Sequence, residues 1–424
     1  MTIDIGVLLL WRAAGAFSGF ADLPDSVPFP ALHGASLVVP VGLSFLTLRS
    51  LGFVIDVYRR AAAPCTAWTS YAAFLRFFPA FVAGPISRGN QLLPQLQVGL
   101  GLNRTSLVEG CSIFVQGLAK KMLIADRLAT IVDPVFAHPE LYPPWTIAAG
   151  ILAYSLQIYC DFAGYSDMAI GAARIIGIDL PRNFDMPYLA TNIAEFWHRW
   201  HITLSTWLRD YVFLPLAYAG SRWVDDMGLP RRQGELLNHA AASILTMLLA
   251  GLWHGSGWGF VLWGGAHGIT LTTHRVWQGA GRRKRRMSPW LGRTLTFVFV
   301  SLAWVPFRAA NMGEAANVYL SLLGIGSQRP YQWFPSWLPI CVAAVVLGHL
   351  VTLWFSSPSR AAGQAPARTL LRILGMTASD RPFAGAYLVP TRVTVLGTYT
   401  ILLFVASILL FAPSKVGPFV YAAF

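Results

Sequence analysis

The sequence predicts an all-α, polytopic integral membrane protein, and three observations carry that prediction. Hydrophobic residues fill 55% of the 424 positions and charged residues only 12%, whereas soluble domains carry about a quarter; mean hydropathy is +0.52. Apolar windows recur at Ile147–Tyr159, Ala240–Trp253, Leu291–Val305, Pro339–Phe355 and Val393–Phe411. A spanning helix needs about 20 residues, so the shorter windows extend into their flanks or cross a locally thinned bilayer. Finally, a run of undiluted basic residues separates two of the apolar segments, as cytoplasmic loops do.

Taken in order, Met1–Phe20 is apolar but lacks a basic leader and a small-x-small cleavage site, which reads as a first, imperfect span rather than a removed signal peptide. Cys65, Cys111, Cys160 and Cys341 show no CxxC spacing and read as packing residues. No repeat with a solenoid period and no soluble-sized polar block interrupts the chain, so residues 1–424 form one membrane domain.

The basic run Arg282, Arg283, Lys284, Arg285 and Arg286 places the loop Gln278–Pro289 in the cytoplasm. Counting forward, Leu291–Arg308 exits, Pro339–Phe355 returns, and Ser356–Arg392 is inside with Arg360, Arg368, Arg372, Arg381 and Arg392 facing one acid, Asp380. Counting backward through Gly257–His274 and Leu237–Trp253 makes Ala219–Asn238 a cytoplasmic loop too, and the C-terminus extracytoplasmic. The excess of 32 Lys+Arg over 19 Asp+Glu is thereby absorbed by topology. No aromatic-basic motif supports nucleic acid, and anionic lipid remains a second reading of the arginine run.

Three polar concentrations interrupt the apolar text. The first, EFWHRWHITLSTWLRDY (Glu195–Tyr211), sets Phe196, Trp200, Leu204, Trp207 and Tyr211 on one side and Glu195, His198, His201, Ser205 and Arg209 on the other, an amphipathic helix. Asn192 with Glu195 three positions later forms a capping box, and Pro215 marks the expected end. His198 and His201 invite a metal, but no HExxH, HxxxH or HxxHH pattern accompanies them, and an i, i+3, i+6 row drifts about 60° per step; no metal is assigned.

The second concentration, GLWHGSGWGFVLWGGAHG (Gly251–Gly268), holds His254 and His267 among glycines that permit close helix approach or a broken helix. An ionisable group at the end of a span lines a polar cavity or costs several kcal/mol, so His254 reads as functional and His267 as a hydrogen-bonded packing residue. The third, CDFAGYSDMAIG (Cys160–Gly171), brings Asp161 and Asp167 into an apolar region. These acids either pair with the basic stripe of the first concentration or cap a helix. There is no GxSxG elbow, Walker loop or dinucleotide fingerprint.

These segments run in the order PVGLSFLTLRSLGFVIDVYRR, FFPAFVAGPISRGNQLLPQL, GLAKKMLIADRLA, CDFAGYSDMAIGAARIIGIDLPRNFDMPY, EFWHRWHITLSTWLRDY, GLWHG, WGGAHG and LAWVPFRA. Together they resemble the membrane-bound O-acyltransferase superfamily, in its bacterial branch of alginate O-acetyltransferases and teichoic acid D-alanyl transfer proteins. The resemblance covers most of residues 36–310. It implies about 9–11 membrane-embedded helices around a thinned centre, with a funnel on each face meeting near a catalytic histidine.

By motif position the catalytic histidine is His254 and the second functional histidine is His201. Relatives usually carry Arg, Gln or Asn where His198 stands, which weakens a metal triad, and they carry further helices upstream of this start. The implied activity moves an acetyl group from a cytoplasmic thioester, acetyl-CoA or another acyl donor such as an acyl carrier, across the membrane. The acceptor is a hydroxyl of an exported polysaccharide, or an extracytoplasmic acetyltransferase partner; no tightly bound cofactor is implied. Neutral imidazole suits removal of the alcohol proton, with His254 as base and His201 orienting the donor or assisting the oxyanion. A transporter or flippase is the competing class, but it predicts inverted symmetry that is not found; an inactive, N-terminally truncated scaffold is a third reading.

Overall fold

The computed structural model describes residues 42–99, 101–279 and 287–326, with short pieces at 338, 342–343, 345, 376–378, 388–390, 405–406 and 408. The expected first span, the arginine run 282–286, most of the two last apolar windows and most of the basic stretch 356–392 lie outside the described residues. In chain order the helices are α1 (Leu43–Tyr58), α2 (Trp68–Leu75), α3 (Gly89–Val98), α4 (Arg104–Ala119), a π-helical turn at Lys120–Ala125, α5 (Asp126–Ala137) and α6 (Pro144–Ile175). After these come α7 (Ile193–Arg199), α8 (Ile202–Leu208), a second π-turn (Arg209–Phe213), α9 (Leu214–Asp226), α10 (Arg231–His254), α11 (Trp258–Gly279), α12 (Pro289–Arg308) and α13 (Met312–Leu322).

Among the described residues three helices, α6, α10 and α12, are long and apolar enough to cross a membrane, and each contains one of the predicted apolar windows. They are placed differently. The apolar window of α6 is 83% buried and that of α10 only 33%, so α6 is the central post and α10 a wall. On α10, Leu245, Leu249 and Leu252 face outward while Ala242, Thr246, Met247, Ala250 and His254 face in, which separates a lipid side from a protein side.

Close backbone approach holds the centre together. A Cβ on Gly117 of α4 would sit 2.5 Å from the carbonyl oxygen of Gly164 on α6, and one on Gly171 of α6 would sit 2.6 Å from that of Gly110. Without a hydrophobic driving force between helices in lipid, such small-residue contacts let dispersion do the joining. Just beyond this seam, the first π-turn presents Lys120 and Lys121 to α6, where Lys120 pairs with Asp167 at 2.5 Å and Lys121 with Asp161 at 2.7 Å. Asp126 adds a second carboxylate to Lys121 at 2.8 Å. Asp161 and Asp167 are therefore structural partners, but of this turn and not of the Glu195–Tyr211 stripe; α6 aims them at the helix it packs on.

Three further expectations need correction. Glu195–Tyr211 is not one helix: it breaks at Trp200–His201, and a π-turn follows. Pro215 ends nothing, because the backbone stays helical from α8 through the second π-turn into α9, and Pro215 falls just after that π-turn, where the regular bond pattern is already altered. Ala219–Asn238 is mostly helix, with only 227–230 connecting α9 to α10. The chain also departs from wholly α structure in one small antiparallel ribbon, β1 (Met376–Ala378) on β2 (Leu388–Pro390), with Thr377 opposite Val389. Pro390 closes the strand end, where proline is tolerated.

Candidate functional site

The site is built on two interruptions of helical structure. At the first, α7 opens on Asn192, whose side chain accepts the Glu195 N–H at 2.9 Å, and Glu195 reaches back to the Thr191 N–H at 2.8 Å. This is the capping-box logic, displaced by one residue. Glu195 also takes Arg199 at 2.8 Å, so its carboxylate is consumed by local structure.

The chain then turns through His201 with φ 42° and ψ 53°, a left-handed conformation that costs a non-glycine residue on the order of 1–3 kcal/mol. The stretch 183–185 holds the turn from outside. Asp185 N–H donates to Arg199 O at 2.9 Å and Ile202 N–H to Asn183 O at 2.8 Å. The Asn183 side-chain oxygen lies 3.0 Å from His201 Nδ1 and accepts from both the backbone N–H and the hydroxyl of Thr203, at 3.2 and 2.8 Å. Its amide nitrogen donates to Ser166 on α6 at 3.1 Å, and Thr203 Oγ1 accepts from Ile86 N–H at 3.1 Å. The His201 ring is thus held directly by Asn183, and the turn around it is tied to α6 through Asn183 and to Ile86 through Thr203.

At the second interruption α10 ends on His254. Gly255 is extended, and α11 starts at Trp258, so the glycines of the second concentration do break the helix. His254 is packed edge-on against Trp253, Trp263 and Phe307, with ring centroids 4.7, 5.3 and 5.2 Å away. His201 sits against Phe162 at 4.7 Å and Trp253 at 6.3 Å. Trp253 therefore touches both rings, and the fold brings the two predicted histidines into one aromatic chamber, where they are 1% and 3% exposed. Burial first, and His254 second, hold the His201 imidazole well below its ordinary pKa, so it stays neutral at physiological pH.

The other candidates separate from this pair. His267 accepts the Trp197 indole N–H at 3.3 Å and packs among Trp197, Trp263 and Phe299, a hydrogen-bonded packing position. His198 is exposed and lines a cavity of about 290 Å³ between α7–α8 and α10–α11. That cavity follows α10 from His239 through Ser243 and Thr246 to Met247, about two helical turns short of His254. Among the described residues no three His, Cys, Asp or Glu side chains gather as a metal site.

Asn183, Thr203 and Trp253 were missed from sequence. Asn183 offered one signal, an amide inside LPRNFDMPY between apolar stretches; Thr203 and Trp253 offered none, because their roles depend on contacts across the fold.

A buried imidazole pair at the meeting of two broken helical segments, inside a shell that contains spanning helices, defines a membrane protein with a protected polar centre. The profile of "MBOAT, membrane-bound O-acyltransferase family" matches residues 67–308, a stretch that contains both histidines. The chain belongs to this family and is an acyltransferase. It is 35% identical over 418 residues to a "Probable alginate O-acetylase AlgI" of Azotobacter vinelandii, covering 94% of this chain and 77% of the relative. A peptidoglycan O-acetyltransferase of Helicobacter pylori is 36% identical over 330 residues, 70% of this chain and 58% of that protein. A teichoic acid D-alanyltransferase of Bacillus subtilis is 26% identical over 294 residues, 66% of this chain and 72% of that one.

Proposed function

We propose that this protein transfers an acyl group, acetyl in the first instance, from a cytoplasmic thioester such as acetyl-CoA to a hydroxyl outside the bacterial inner membrane. The acceptor is an exported polysaccharide or an extracytoplasmic partner that acetylates it. The relatives named for alginate and peptidoglycan acetylation support the acetyl group and the glycan acceptor. One observation carries the site assignment: His201 and His254, distant in sequence, share the Trp253 ring in a buried chamber.

In this reading His254 takes the proton of the attacking hydroxyl as its oxygen bonds to the acyl carbon, and the thiolate leaves. The cavity along His239–Met247 is the donor's approach and the cytoplasmic funnel of the resemblance; the opposite funnel, the thinned centre and the complement of about 9–11 embedded helices belong to the same proposal. So does the orientation, with Gln278–Pro289 cytoplasmic and the C-terminus outside. A donor made inside and an acceptor outside require a site reachable from both faces.

The test is incubation of membranes with labelled acetyl-CoA, following label onto glycan or protein. His254→Ala is expected to lower transfer by about 10²–10⁴-fold, the range of a lost general base, at unchanged protein level and membrane insertion. Retained transfer would sink the assignment. Movement of solute without covalent transfer would favour a transporter.

A further inference from the structure

We infer that Asn183 is a positioning residue that sets the proton of His201. It holds His201 as the Nδ1–H tautomer, so that Nε2 enters the site as a lone pair. The inference rests on the reading of His201 and His254 as the working pair, and it deepens that reading by assigning His201 a chemical sense.

The amide orientation follows from its neighbours. The Asn183 atom facing His201 also receives the Thr203 backbone N–H at 3.2 Å, and a backbone N–H only donates. That atom is therefore the amide oxygen. The nitrogen end is independently occupied by donation to Ser166 Oγ at 3.1 Å. The Thr203 hydroxyl agrees: it accepts from Ile86 N–H at 3.1 Å, leaving its hydrogen for Asn183 Oδ1 at 2.8 Å.

An amide oxygen only accepts, so His201 Nδ1, 3.0 Å away, must carry hydrogen. A neutral imidazole has a single N–H, and Nε2 is left with its lone pair. A lone pair can accept a hydrogen bond but cannot donate one to an oxyanion. The oxyanion role considered for His201 is thereby disfavoured. His201 instead accepts a hydrogen bond from a neighbouring, non-reacting hydroxyl of the acceptor, which orients the attacking oxygen, while the attacking hydroxyl gives its own single hydrogen to His254 as base.

The same residue also secures the backbone, since Asn183 O takes the Ile202 N–H at 2.8 Å beside the left-handed turn. Ring orientation and tautomer thus come from one anchor, the arrangement by which metal-binding and triad histidines are fixed by the partner of their second nitrogen. Phe162, Phe45 and Trp253 supply the remaining ring contacts, and His254 is the titratable group acting on His201.

The direct test is ¹⁵N spectroscopy of the histidine-labelled full chain in bilayers, with His201→Gln to assign the signal. A protonated Nδ1 and an unprotonated Nε2 are expected for His201; an Nε2–H signal in the wild-type protein overturns the inference whatever the variants do. Asn183→Asp should keep the tautomer and shift the acid limb of the transfer profile to higher pH, because a carboxylate at Nδ1 favours imidazolium and raises the His201 pKa. An unmoved acid limb in a folded Asn183→Asp protein counts against it. Asn183→Ala should mix the tautomers and lower transfer by at least about tenfold, given that a wrong tautomer in the serine-protease triad costs about 10⁴. Failure of the broader reading is distinguishable: His201→Ala and His254→Ala would both retain transfer while the wild-type spectrum still showed Nδ1–H.

Discussion

Replacing Lys121 with methionine probes the joint between α6 and the π-turn that leans on it. Lys121 Nζ lies 2.7 Å from Asp161 and 2.8 Å from Asp126, and the three side chains are 4%, 2% and 5% exposed. Methionine keeps nearly the same length and removes the charge, which leaves two carboxylates facing one another without their shared cation. Breaking a buried pair costs about 3–5 kcal/mol, since the stranded ion keeps its desolvation penalty and loses its attraction. Against a total stability on the order of 5–15 kcal/mol, that lowers the folded-to-unfolded ratio by about two to four decades. The assay is reversible unfolding of the solubilised protein in increasing SDS. A triple variant, Lys121→Met with Asp126→Asn and Asp161→Asn, removes all three charges and is expected to recover most of the loss, because residues of one network are not additive. A Lys121→Met protein as stable as wild type, or a triple variant less stable than the single, would refute the reasoning.

Three other outcomes follow from the same geometry. Glu195→Ala should cost about 1 kcal/mol of stability, the usual value of a lost cap, and leave the transfer rate within a few-fold; a hundredfold rate loss in a stably folded protein would make Glu195 chemical rather than structural. Gly164→Ala places a Cβ 2.7 Å from Gly117 O and should destabilise by about 1–3 kcal/mol, whereas Gly265→Ala meets only a Leu248 methyl at 3.7 Å and should be tolerated; equal melting temperatures for the two would contradict the seam. Because burial lowers the His201 pKa below its unfolded value near 6.5, the unfolded chain binds more protons below that pH. Stability should then be full above about pH 6.5 and fall as pH drops toward the folded pKa, by at most about 1.4 kcal/mol per pH unit for this group. His201→Gln should flatten that slope in thermal melts taken between pH 8 and 5.

Much of the architecture could be read from pattern. The windows within 147–159, 240–253 and 291–305 became α6, α10 and α12, because a continuous apolar run records its environment residue by residue. The capping role of Glu195 and the helix break after His254 were equally local, written in an Asn-x-x-Glu spacing and a Gly-x-Gly. The helix break at His201 was not local. Residues 195–211 carry a sound amphipathic period, and what overrides it is the tertiary clamp of Asn183 and Asp185 on the turn.

The same division holds for the site. Sequence by itself determined that this is a helical membrane acyltransferase and singled out His201 and His254, since apolar runs and motif order survive without coordinates. Only the tertiary structure decided that Asp161 and Asp167 belong to Lys121 and Lys120, and that His198 faces a cavity while His201 faces the chamber. It also decided that Asn183 meets His201 Nδ1. Each of these is a contact between residues well separated in the chain or on opposite sides of a helix break, and periodicity carries no information about partners that only packing brings within hydrogen-bond reach.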